Sequence, residues 1–246
     1  MEYLNFLKDL LRKTIVDLEN RKILGILIKS VLLTFLFAGI VFIIFYYYLF
    51  TSFFNFANNL ESSEGLLAYI LSFKIITYLV GILQFFISWI IISIILVPVG
   101  SIISGIFAED IFFKINQFHD YKFKKKFYEN CFSRSIRYSI FMAFKSFVIN
   151  ILILPLYLIL PVANIFIFIF INGFLIGKEY VGNFLVQFET KEKINLFNQY
   201  NDTKIYFIGV TIAILYTIPF INLCAPFIGN VMASHLILDK KNIKIL

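Results

Sequence analysis

Residues able to do chemistry are few in this chain, and they are scattered. The two histidines, His119 and His235, lie far apart in sequence. Neither has a partner at the spacing that a zinc site or a nucleophile–base pair requires. Cys131 falls in a basic stretch and Cys224 in an apolar one; they fit no metal or disulfide pattern and read as free thiols. No glycine-rich phosphate loop is present. An enzyme, a metal site and a bound cofactor are therefore not expected.

What remains is a set of polar groups at the ends or breaks of apolar runs. Arg21 and Lys22 stand just before the first run. They read either as ordinary cytoplasmic anchors or as an anion site, because a guanidinium beside helix-terminal N–H groups suits a tetrahedral oxyanion. Arg134 and Arg137, at i and i+3, share one helix face and offer a second anion contact or a lipid-headgroup contact. Glu109, Glu179 and His235 lie at or near the ends of apolar runs, where an ionisable group is either a solvated terminus or a proton carrier. Pro161 with Asn164, and Pro219 with Asn222, repeat one Pro-x-x-Asn pattern inside two apolar runs. They read as turn residues or as pore-lining tips.

The elements that must hold these groups follow from composition. The chain is 60% hydrophobic and 15% charged, against roughly 45–50% and 25% in soluble domains. Such a chain cannot cover its apolar surface with its own polar residues, so lipid must solvate part of it. The net charge of +7 is what basic cytoplasmic loops supply in a membrane protein, and no nucleic-acid partner is needed to explain it.

Residues 1–29 are polar, with Leu4, Leu7, Leu11, Ile15 and Leu18 recurring at helical spacing. That pattern predicts an amphipathic helix lying at the cytoplasmic interface or packed on a cytoplasmic loop. Residues 30–50 carry no charge and suffice to cross a ~30 Å core. Residues 75–108 are uncharged for longer, about 51 Å as one helix, and a break is expected at Pro98 and Gly100. Residues 109–145 form a basic segment, whereas the stretch between the first two runs has no Lys or Arg before Lys74. The positive-inside rule then puts the N-terminus and the basic segment in the cytoplasm. Residues 146–177 and 205–238 are uncharged apart from His235, each with its breaker in the middle. Arms of about 13–15 residues span only ~20–23 Å, which favours re-entrant hairpins that return the chain to the cytoplasm.

The ordered set of motifs resembles the family of CysZ sulfate permeases and etoposide-induced proteins. The resemblance runs through Ser104-Gly105-Ile106-Phe107-Ala108-Glu109, then Leu160-Pro161-Val162-Ala163-Asn164 with Asn172-Gly173-Phe174-Leu175-Ile176-Gly177-Lys178-Glu179-Tyr180, then Ile218-Pro219-Phe220-Ile221-Asn222-Leu223-Cys224-Ala225-Pro226-Phe227-Ile228-Gly229. It implies an all-α integral membrane protein of two long transmembrane helices plus two hemi-penetrating helical hairpins, in one membrane domain. It also implies a homo-oligomer in a bacterial inner membrane, with both termini cytoplasmic, that takes up a small inorganic anion such as sulfate. The family's arginine-bearing sulfate motif precedes the first span. Here Glu19-Asn20-Arg21-Lys22 stands there, without the usual Pro or Gly-Leu lead-in.

Entry of a divalent anion against ~100 mV costs about 4.6 kcal/mol. Uptake therefore needs proton coupling or rapid consumption inside. The alternative is a non-transporting protein that organises lipid or partner proteins, as the family's eukaryotic relatives suggest. The amphipathic N-terminus and the lysines between 122 and 126 suit that role. A third reading is an accessory subunit served by a separate ATPase.

Overall fold

Every element in the computed structural model is helical, over described residues 2–61, 74–124, 126–160, 163–218 and 221–243. In chain order these are α1 (Glu2–Glu19), α2 (Arg21–Glu61), α3 (Lys74–Ile106), α4 (Ala108–Phe118), α5 (Cys131–Ile159), α6 (Asn164–Leu185), α7 (Lys191–Thr217), a 3-10 turn (Ile221–Leu223), α8 (Ala225–Leu238) and α9 (Lys240–Ile243). They form two compact units, Leu32–Val99 and the remainder, Met1–Val31 with Gly100–Leu246.

Three described helices are long and apolar enough to cross a membrane: Arg21–Leu49, Cys131–Leu156 and Asn164–Leu185. Their faces expose Leu32, Leu36, Ile43, Phe144 and Leu152 by 61% or more. Such faces are stable only against lipid or another apolar surface. This is a multi-pass membrane protein. In the smaller unit α2 and α3 meet through Phe42 and Phe85, edge to face at 5.8 Å. The Gln84 amide donates to the Tyr46 carbonyl across 3.2 Å, a polar tie of the kind that joins helices in lipid.

Several expectations change. Helix α2 continues well past residue 50, to Glu61, and α3 runs unbroken through positions 98 and 100. Apolar helices in bilayers accommodate proline because neighbouring groups re-satisfy the freed carbonyl. The first hairpin does not have short arms. Charged Lys145, Lys178 and Glu179 lie within helices and do not end them. The arms α5 and α6 reach 29 and 22 residues, or about 43 and 33 Å, enough to cross the core. The second hairpin keeps one short arm, the 14-residue α8. Pro161 and Pro219 lie outside the described residues. Asn164 and Asn222 sit at the turns but cap neither following helix. The N-cap positions belong to Ala163 and Cys224, and neither makes a side-chain cap bond.

The larger unit is built on the pairing of α6 with α7. Gly173, Gly177 and Gly209 let the two backbones touch. A Cβ on Gly209 would collide with the Gly173 carbonyl oxygen, and one on Gly177 with that of Ile205. Small residues at this spacing are how helices approach closely in lipid. Helix α8 then packs on α7, α6, α4 and α1, and it is buried along almost its whole length.

Gly209→Val should therefore lower unfolding stability by about 1–3 kcal/mol or more through overpacking. Gly39→Ala, whose added carbon meets nothing within 4 Å, should leave it unchanged. Thermal unfolding of both variants in detergent checks the contrast.

Candidate functional site

Helix α1 turns an unexpected face inward. Leu10, Thr14 and Asp17, spaced for one helical stripe, are buried at 3%, 3% and 0% exposure, whereas Ile15 is 58% exposed. Thr14 is burial-compatible because its hydroxyl donates to the Leu10 carbonyl at 2.9 Å. Asp17 has no such local outlet, and its carboxylate points into the unit. Among the described residues no lysine or arginine pairs with it.

Two imidazoles meet that carboxylate. His119 Nε2 lies 2.6 Å from Asp17 Oδ1, and His235 Nε2 lies 2.6 Å from Asp17 Oδ2. The rings are edge to face, 4.9 Å between centroids. His119 caps the C-terminal end of α4, its N–H bonded to the Ile115 carbonyl at 3.0 Å. His235 belongs to the last turn of α8, with its side chain only 2% exposed.

The loop after α4 brings a fourth group. Asp120 and Lys122 adopt left-handed conformations, at φ 48° and 60°, which reverses the chain around Tyr121. The Asn116 side chain clamps the reversal, donating to the Phe123 carbonyl and accepting its N–H, both at 3.1 Å. The Tyr121 hydroxyl then lies 2.9 Å from His235 Nδ1. Burial pushes the Tyr121 phenol up from its ordinary range, so it is a hydroxyl at neutral pH. Below, Phe112 is fully buried against Phe123, Phe127, Phe184 and Phe188. That aromatic layer holds the loop onto α6.

The other candidates do not converge on this cluster. Arg21 and Lys22 are exposed in the first turn of α2, where the Asn20 side chain accepts the Lys22 backbone N–H at 2.9 Å. Arg134 is occupied: Nε donates to the Val186 carbonyl at 2.6 Å and Nη2 to that of Glu189 at 3.2 Å. Its guanidinium also lies over the Tyr128 ring. It satisfies the open carbonyls at the end of α6, while Arg137 is exposed. Glu109 is exposed at the start of α4, where it accepts from the Cys131 thiol at 3.9 Å and complements the helix dipole. Glu179 is half-buried within α6.

A polar seam runs along the α5–α6 hairpin near Glu179. Asn150 and Asn172 exchange amide bonds at 3.0 and 3.3 Å. The Tyr138 hydroxyl donates to the Lys178 carbonyl at 3.0 Å, and Ser135 donates to Asn183.

Of the sequence candidates, only His235 belongs to the buried cluster. Asp17, from α1, and His119 with Tyr121, from the end of α4 and the loop after it, complete it. The one sequence signal was an acid on the Leu10–Thr14 stripe, where an amphipathic helix should bury carbon.

Apolar spanning helices, small-residue contacts and an ionisable cluster buried in an apolar core define a polytopic membrane protein. The family model described as sulfate transporter CysZ/etoposide-induced protein 2.4 matches residues 10–226, and the chain belongs to that family. No curated protein and no solved structure matches it.

Arg134→Ala should cost about 1.5–3 kcal/mol of stability, because it strips charge-assisted bonds from part-buried carbonyls. Arg137→Ala should stay within about 0.5 kcal/mol of wild type. Chemical unfolding in detergent followed by circular dichroism distinguishes the two.

Proposed function

We propose that this protein moves a small inorganic oxyanion, sulfate foremost, across a bacterial inner membrane as a homo-oligomer with cytoplasmic termini. The observation that carries the reading is family membership over residues 10–226. The geometry adds two exposed cations, Arg21 and Lys22, at the N-terminal turn of the first spanning helix. Backbone N–H groups and the positive end of the helix dipole favour an anion there. Arg137, exposed on α5, is the further candidate, since Arg134 is committed to the end of α6.

Proton coupling, which the membrane potential calls for, falls best to Glu179. It is a half-buried acid inside a spanning helix, next to Lys178, whose carbonyl accepts from the Tyr138 hydroxyl at 3.0 Å. Glu109 is a solvated helix terminus. His235 is held by Asp17 and Tyr121. The second hairpin is read as re-entrant, because α8 covers only about 21 Å. Asn164, whose buried Oδ1 has no hydrogen-bond partner among the described residues, and Asn222 are the candidates to line the path at the hairpin turns.

One observation favours the second reading, a membrane-organising protein. Leu7, Leu11, Ile15 and Val16 line an open groove on α1 beside Lys8 and Arg12, which suits anionic headgroups.

Calorimetry of sulfate binding to detergent-purified protein separates them. Saturable binding, weakened about 10–100-fold in Arg21→Ala by loss of a charge-assisted bond, is the expected result. No binding at millimolar sulfate rejects the permease reading in favour of the membrane-organising one.

A further inference from the structure

We propose that Asp17, His119 and His235 form a binding site for a divalent transition metal, with zinc the best fit. The three residues come from α1, from the end of α4 and from α8. One ligand atom from each lies within 4.8 Å of the other two. Two imidazole nitrogens and a carboxylate oxygen are a borderline donor set, suited to zinc or cobalt over magnesium or calcium.

Burial supports the assignment. Asp17 is sealed from water, and among the described residues its side-chain partners are the two imidazoles, with no Lys or Arg pairing with it. Buried carboxylates are either ion-paired or bound to metals. The Nε2 atoms of both histidines aim at the carboxylate, at 2.6 Å each. Donors at neighbouring corners of a tetrahedral zinc site are about 3.3 Å apart, so an ion needs only a small side-chain widening.

The surrounding contacts resemble those that orient metal-bound histidines. Once Nε2 binds a metal, the ring proton resides on Nδ1. His235 Nδ1 already faces the Tyr121 hydroxyl at 2.9 Å, which then accepts instead of donating. Such outer partners fix the tautomer and the ring plane. Three protein ligands leave a fourth position for water or another small donor. His119 is the most exposed of the three at 20%, while Asp17 and His235 are buried at 0% and 2%. Occupancy would tie α1 to α4 and α8 by metal–ligand bonds. This inference does not depend on the transported substrate.

The test uses the full chain without a polyhistidine tag, stripped with chelator in detergent, then titrated with Zn²⁺ alone by calorimetry. Co²⁺ serves as an optical probe, read by its visible d–d bands. One equivalent should bind saturably, with cobalt bands of a four-coordinate site. His119→Gln changes the partly exposed ligand, so the fold should persist by circular dichroism and size exclusion while stoichiometric binding disappears. Tyr121→Phe keeps all three ligands and should weaken binding about 10–100-fold. The absence of saturable one-equivalent binding in wild type overturns the proposal. So does wild-type affinity in His119→Gln. Unchanged affinity in Tyr121→Phe overturns the positioning role of that hydroxyl.

Discussion

The contact on which the larger unit depends is the approach of α6 and α7 at Gly173, Gly177 and Gly209. Lipid tails are as apolar as leucine, so helices in a bilayer gain little from burying carbon against one another. Close backbone packing supplies the attraction instead, and it exists only where side chains are missing. With α6 and α7 locked together, Ile212 and Tyr180 make the bed on which α8 rests at Gly229. Helix α8, apolar nearly all round, has no other place to go. The position of His235 follows from that packing.

Two kinds of polar group lie inside this apolar frame. The Asn150–Asn172 pair, Ser135 with Asn183, and Tyr138 satisfy one another or a nearby carbonyl across the α5–α6 hairpin. They act as interhelical ties and carry no net charge. The Asp17–His119–His235 cluster differs because a carboxylate is held away from water with two imidazoles turned onto it. Keeping such a group buried costs solvation free energy that packing alone does not return.

One fold can host several activities. Whether this chain transports or organises rests on its surface: the cations of α2 and α5, and the outward groove of α1. The buried cluster is compatible with either role.

Much of the architecture was legible from charge and hydropathy, because exclusion of charge from lipid is a local, one-dimensional constraint. The first spanning run could be read in that way, and the family was legible from the ordered motifs. Lys145, Lys178 and Glu179 bound uncharged runs without ending the helices that hold them. A helix buries its stem and lets a charged end reach a partner, as Lys178 does toward Asp202 at 3.2 Å. Arg134 looked like an anion ligand because nothing local reveals that the end of α6 will present open carbonyls to it.

The residues by themselves determined that this is a helical membrane protein, which segments are apolar and where the chain turns, since each follows from the transfer of nearby side chains between water and lipid. Only tertiary structure decided that positions 17, 119, 121 and 235 share one buried site. A stripe of three residues on α1, a left-handed reversal after α4 and a glycine contact between two other helices must all form first. No spacing along the chain encodes a distance that three separate packings set together.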